Sequence, residues 1–286
     1  MQKVSDKIHV VMAADGAYRK GLEVAKSSMI ASCSDPSRLE FHLFGENREL
    51  EPRMRGDFGT YRGSAIAALR LYLGELLPDV DWVIYSDVDT IWHRDVLELA
   101  TLRDVTKTIQ WVHSTSYEFV TWCKEKGVLL KPSVVDTYGC TGVCIMNLKR
   151  WREKNVLERC RNFAARYGVP KYPDQDILNA VLTDEAGLLP SWWDVFIPAP
   201  ETPAKCVLHL TGVGQWFATP YTGKIAQYRY WDHLVRGTEI GRIWAPPFYI
   251  RDWMVRLCLP FASALFRERV QRNFAWRWFV KCRLVR

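Results

Sequence analysis

Six short apolar runs recur along the chain, "KIHVVMAAD", "LEFHLFG", "DWVIYSDVDT", "TIQWVHS", "GVCIMNL" and "KCVLHLTG", with helical stretches among them. The first alternates little between apolar and polar residues and is β-branched at its centre, the pattern of a strand buried on both faces of a largely parallel sheet. "EVAKSSMIASC", "SAIAALRLYLGELLP" stopped by Pro78, "KRWREKNVLERCRNFAARYG" closed by Gly168, and "DQDILNAVL" read as helices. Strands alternating with helices at this rhythm predict an α/β fold with a mostly parallel, twisted sheet. In such sheets ligands sit beyond the carboxyl ends of the strands. That rule draws attention to Asp15, to Asp87 and Asp89, to Gly142 and to His209.

The third run leads straight from "WVIY" into two aspartates one residue apart. On an extended chain side chains at i and i+2 point the same way, so Asp87 and Asp89 would repel unless a positive group sat beside them. A divalent cation meets that need, because hard carboxylate oxygens suit magnesium or manganese. The triplet alone is also met by an ordinary loop or helix cap. His209 adds an imidazole near another strand end, where a satisfied core histidine is the bland reading.

Charge is unevenly spread. From Arg251 to Arg286 there are nine Arg or Lys and two Asp or Glu, which accounts for the whole net charge of +7. Phe266, Val270, Phe274 and Trp278 form an apolar stripe there, surrounded by Arg267, Arg269, Arg272, Arg277 and Lys281. Such a segment reads as a basic amphipathic helix lying on an anionic membrane. A helix packed on the domain is the plainer alternative, and no recognised nucleic-acid motif accompanies the basic residues, so nucleic acid is not expected as a partner. Residues 1–248 are expected to form the catalytic domain and 249–286 a membrane-association tail. "MQKVSDK" is polar and the run after it is too short to cross a bilayer, so a cytoplasmic protein, peripheral on the inner face of the membrane, is expected. Eight scattered cysteines without a CxxC pair read as buried thiols.

Taken together, "HVVMAADGAY", "ALRLYLGELLPDVDWVIYSDVD", "CTGVCIMNLKRWRE", "YPDQDILN" and "HLTGVGQW" resemble, in order, the motifs of the retaining family-eight glycosyltransferases, which include bacterial lipopolysaccharide galactosyl- and glucosyltransferases. The resemblance is spread over most of residues 8–216 and implies a GT-A type, Rossmann-like fold. It implies that Asp87, Asp89 and His209 bind Mn2+ or Mg2+ together with the diphosphate of a UDP-sugar. Ala13, Asp15 and Tyr18 would contact uracil, and Asp87, with Val88 beside it, the ribose. Arg70 and Asp174 would hold the donor sugar, Cys140 and Thr141 would shape its pocket, and Gln175 would face the anomeric carbon. Gly212 would let the backbone approach the phosphates.

Two positions depart from the family pattern: Gln215 stands where a lysine is usual, and Cys140 where an asparagine is. Either the metal carries more of the leaving diphosphate's charge or a base such as Lys224 or Arg229 substitutes. The amide of Gln175 is a poor nucleophile, which favours front-face attack with the leaving phosphate taking the acceptor proton. The expected function is therefore a metal-dependent retaining hexosyltransferase, moving galactose or glucose to a membrane-associated saccharide or glycolipid acceptor. A catalytically weak saccharide-binding or assembly protein on the same fold is the alternative, and a metal phosphohydrolase using the same aspartates a third reading.

Overall fold

A six-stranded sheet carries the core in this computed structural model, which describes residues 7–45, 47–61, 63–196 and 205–209. In chain order the strands are β1 (Ile8–Ala13), β2 (Leu39–Phe44), β3 (Trp82–Ser86), β4 (Thr90–Trp92), β5 (Ile109–His113), β6 (Gly139–Asn147), β7 (Ala186–Leu189) and β8 (Val207–His209). The main sheet runs β2-β1-β3-β6-β5-β7, and β4 pairs with β8 in a separate two-stranded sheet. Pairings β1–β2, β1–β3 and β5–β7 are parallel. β6 runs antiparallel to both of its neighbours, β3 and β5. All of these residues fall in one compact unit, Met1–His209.

Both faces of the sheet are covered, which explains the unalternating runs. Val11, Ala13, Val83, Tyr85, Trp111, Cys144 and Met146 pack into one apolar cluster with helices Leu50–Phe58, Val156–Tyr167 and Pro173–Leu182. Their alternate neighbours Val10, Met12, Ile84, Val112, Val143 and Ile145 join a second cluster with helix Arg19–Ser32 and with Trp92 and Trp193. β2, at the edge, is only partly buried.

Three expectations need correction. The stretch from Ser64 is a 3-10 helix over Ile66–Tyr72 that passes into a short α-turn, Leu73–Leu76. The "KRWREK…RYG" helix is two helices, Leu148–Glu153 and Val156–Tyr167, divided where Asn155 takes a left-handed φ of 49°. Gly168, at φ 88°, ends the second as expected. β4 and β7, of three and four residues, went unread in the sequence. The six cysteines among the described residues, 33, 123, 140, 144, 160 and 206, are buried. The tail, Gly212, Gln215 and the expected boundary at 248/249 lie outside the described residues.

Candidate active site

The turn after β3 is stapled by hydroxyls. The Ser86 and Thr90 hydroxyls lie 2.9 Å apart, Thr90 donates to the Asp87 carbonyl at 2.7 Å, and the Trp92 indole donates to Ser86 at 3.2 Å. The Asp87 amide donates to the Gly142 carbonyl at 2.7 Å, which ties the turn to β6. Asp87 and Asp89 are thereby held at the carboxyl end of β3. The chain continues into β4, whose antiparallel pairing with β8 sets Thr90 opposite His209. A ligand near the end of the described chain is delivered beside the aspartates by this pairing.

His209 is 2% exposed and is gripped on several sides. Its Nδ1 lies 2.7 Å from Asp194 Oδ1, and the Phe196 ring is 5.3 Å away, centroid to centroid. Gly142 lies against the imidazole so closely that a Cβ there would stand 2.0 Å from Cε1. Nδ1 therefore donates to Asp194, which turns Nε2 towards the two aspartates. That nitrogen is buried, 3.2 Å from Asp89 Oδ1 and 3.7 Å from Asp87 Oδ2. Burial works against the imidazolium, yet Asp194 and Asp89 outweigh it and push the His209 pKa well above its ordinary value. Burial, with Asp89 adding to it and Arg70 opposing, pushes the Asp87 carboxyl up to about 6. At Asp89 burial acts in the same direction but His209 wins, so its pKa is lowered.

Arg70 joins this group to the helix at Pro173–Leu182. It is 4% exposed, with Nη2 2.7 Å from Asp87 Oδ1, Nε 2.9 Å from Asp174 Oδ2, and its guanidinium 4.2 Å over the Tyr85 ring. Burial opposes its charge, but Asp174 and Asp87 more than compensate and raise its pKa further. Thr141 also donates to Asp174, at 3.2 Å, so that carboxylate serves the site and does not cap its helix. Gln175 is fixed at both ends of its amide: Oε1 accepts from the Thr141 amide at 3.3 Å, and Nε2 donates to the Tyr138 hydroxyl at 2.9 Å. Tyr138 in turn donates to Asp176, whose carboxyl burial raises to about 6.

The structure thus brings together Asp87, Asp89, His209, Arg70, Asp174, Gln175 and Thr141. Cys140 lies beneath them, its Sγ 3.9 Å from His209 Nδ1, with burial pushing the thiol up to about 12. Val88 is buried within the turn. Ala13 ends β1, Asp15 precedes the 3-10 turn Gly16–Tyr18 and accepts from the Ser64 hydroxyl, and Tyr18 packs against the second apolar cluster. "SWWDVF" belongs largely to the core: Trp193 is buried and Arg94 lies over both Trp192 and Trp193. Asp194, in the same run, is the residue the sequence reading missed. Its signal was a lone carboxylate inside an aromatic stretch.

The residues present fit a divalent cation. Oxygens of Asp87 and Asp89 and a nitrogen of His209 all lie within 4.8 Å of one another. With Asp194 and Asp174 included, four carboxylates surround one arginine and one imidazole, so the site carries excess negative charge. Two carboxylates and one imidazole suit manganese, with magnesium as the harder alternative. A second grouping, His9, Glu40 and His42, is different in kind. There the two imidazoles meet nitrogen to nitrogen at 2.9 Å, with ring centroids 5.2 Å apart, as in an N–H···N hydrogen bond that needs no ion.

The fold is of the GT-A type, shared with solved structures of glycosyltransferases. One is the galactosyltransferase LgtC, solved with donor and acceptor sugar analogues, at TM-score 0.64 and 22% identity, covering 81% of this chain and 96% of that one. Another structure of LgtC carries an active-site glutamine replaced by glutamate. At this identity the likeness shows the fold. The sequence model of glycosyl transferase family 8 matches residues 60–210, over half of the chain, and the chain belongs to that family. Its relatives include a lipopolysaccharide 1,2-glucosyltransferase of Escherichia coli, 28% identical over 125 residues, covering 42% of this chain and 36% of that one. A galacturonosyltransferase-like protein of Arabidopsis thaliana, number 9 of its series, is 28% identical over 193 residues, covering 53% and 48%. The chain spans about half the length of the curated relatives it matches.

Proposed function

We propose that this glycosyltransferase moves a hexose, galactose or glucose, from a UDP-sugar to a saccharide at a membrane, with retention of configuration. The observation that carries the reading is the convergence of Asp87, Asp89 and Nε2 of His209 at the strand ends, beside an Arg70–Asp174 pair. When bound between those three side chains, Mn2+ or Mg2+ would act as a Lewis acid on the departing diphosphate. The chain's own groups would do the rest. Asp174, oriented by Arg70 and Thr141, would accept hydrogen bonds from donor-sugar hydroxyls. Ala13, Asp15 and Tyr18 would receive the uracil base at the end of β1. Gly212 would lie near the phosphates, where, without a lysine at Gln215, either the metal would carry more of the leaving group's charge or a base such as Lys224 or Arg229 would substitute.

Gln175 is a neutral amide locked between Thr141 and Tyr138, so it is suited to steadying developing positive charge at the anomeric carbon and poorly suited to forming a covalent bond to it. An active-site glutamine in LgtC, a galactosyltransferase, supports that assignment. Front-face attack follows, with the leaving phosphate receiving the proton of the acceptor hydroxyl. Gln175→Ala should slow turnover without abolishing it; complete loss with intact donor binding would establish an obligatory nucleophile instead. The lipopolysaccharide glucosyltransferase relative and the basic, aromatic tail support a lipid-linked acceptor at the inner leaflet. Titrating a panel of nucleotide sugars with Mn2+ tests the function. Metal-dependent transfer from one UDP-hexose is expected; phosphate release without acceptor or sugar preference would overturn it.

A further inference from the structure

We infer that Asp194 is a positioning residue for the metal site, fixing the His209 ring and strengthening Nε2 as a ligand. The inference rests on the proposed cation site and extends it by one residue. Two backbone hydrogen bonds set the placement, the Val195 amide donating to the Val207 carbonyl at 2.8 Å and the His209 amide to the Val195 carbonyl at 2.9 Å, which together form the parallel bridge of Val195 to Leu208. Asp194 is carried alongside His209 by that pairing, and buried Trp193 backs it. The ring is then held by Gly142 against it, by Phe196 5.3 Å away, and by Asp194 Oδ1 2.7 Å from Nδ1. No rotation of the imidazole keeps that hydrogen bond and turns Nε2 away from Asp87 and Asp89.

Charge adds a second effect. The Asp194 side chain is 0% exposed, and its other oxygen, Oδ2, has no hydrogen-bond partner among the described residues. A buried carboxylate costs several kcal/mol unless positive charge compensates it, and breaking such a pair is costlier still. Positive charge on the imidazole meets the requirement, as a proton on Nε2 when the site is empty and as a cation bound there when it is filled, because the ring transmits polarisation from Nδ1–H to Nε2. Carboxylates that accept from the second nitrogen of a metal-binding histidine act in this way, and their loss commonly weakens metal binding by about 10–100-fold.

The experiment is a direct Mn2+ titration of the full chain, following free Mn2+ by electron paramagnetic resonance, with melting curves and kcat at saturating Mn2+ alongside. Asp194→Asn keeps an acceptor for Nδ1–H but removes the charge, and should weaken Mn2+ about tenfold; Asp194→Ala removes both and should weaken it about a hundredfold. In both, kcat per folded molecule should recover at saturating Mn2+, which a merely structural role would not produce. If Asp194→Ala does not fold, Asp194→Asn carries the test. Wild-type Mn2+ affinity in folded Asp194→Asn and Asp194→Ala would overturn the inference. His209→Ala in the same titration separates the two claims: if it too binds Mn2+ normally, the cation site itself is refuted, and if it loses binding while the Asp194 variants keep theirs, only the role of Asp194 falls.

Discussion

Gly142→Ala is the most informative single change, because it adds one carbon at the point where the site is tightest. A Cβ at Gly142 would stand 2.0 Å from His209 Cε1, 2.6 Å from Nδ1 and 3.0 Å from Nε2. Ordinary carbon contacts lie at about 3.5–4.0 Å, so one partner must move by roughly 1.5 Å. β6 is held on the β3 side, since the Gly142 carbonyl accepts from Asp87 at 2.7 Å and Val143 pairs with Ser86, while residues 141–143 lie in the register shift against β5 without a partner there. The ring is the partner expected to move, and a shift of that size carries Nδ1 out of hydrogen-bonding range of Asp194, now 2.7 Å away. Overpacking costs about 1–3 kcal/mol, and the lost bond to a charged acceptor about 1.5–3 kcal/mol. The expected result is a folded protein less stable by about 3 kcal/mol, with Mn2+ affinity reduced at least about tenfold. Urea unfolding and the Mn2+ titration measure the two quantities. Gly139→Ala is the control, because its Cβ would strike Trp111 in the core and should lower stability with a smaller effect on Mn2+. Unchanged stability and unchanged Mn2+ affinity in Gly142→Ala would refute the packing described around His209.

Other consequences are open to simpler assays. Tyr138→Phe removes the acceptor for Gln175 Nε2 and the donor to Asp176, so kcat should fall about tenfold while donor and Mn2+ affinity stay at wild-type values, the loss in rate following from the hydrogen bond that positions Gln175. Asp176 holds its proton up to about pH 6 when folded, against an ordinary carboxyl value near 4 when unfolded. Between those limits the native state binds more protons, so this group makes stability rise as pH falls from about 6 towards 4, by at most about 1.4 kcal/mol per pH unit. Subtracting the urea-derived stability of Asp176→Asn from that of the wild type should isolate this slope; a difference of opposite sign would contradict it. Deleting residues 251–286 should release the protein from anionic vesicles and leave nucleotide-sugar hydrolysis in place, and continued vesicle binding would rule out the tail as the anchor.

Legibility in the sequence followed burial. β1, β3 and β6 were readable because both faces of each are covered, which leaves an uninterrupted apolar run. The antiparallel course of β6 leaves no such mark, since a strand buried on both faces has the same composition in either direction. β4 was hidden by length: three residues after Asp89 show no period, and its partner β8 is remote in the chain. The helix break at Asn155 was signalled only by an asparagine, a residue that tolerates left-handed backbone, within an otherwise helical pattern. In the site, Asp87, Asp89, Asp174, Gln175 and His209 stood out because they sit at element ends in a recognisable order. Asp194 and Gly142 act through contacts made only after β4 meets β8, so their roles required the structure.

The central claim is that Asp87, Asp89 and His209 together bind one divalent cation to which the donor's diphosphate attaches. Mn2+ titration with and without UDP, on wild type and Asp89→Asn, tests it most directly. The account predicts one Mn2+ per wild-type chain, bound more tightly with UDP and more weakly in Asp89→Asn, with metal-dependent transfer lost in that variant. Equal Mn2+ binding by both proteins, or transfer by Asp89→Asn at the wild-type rate, would contradict it.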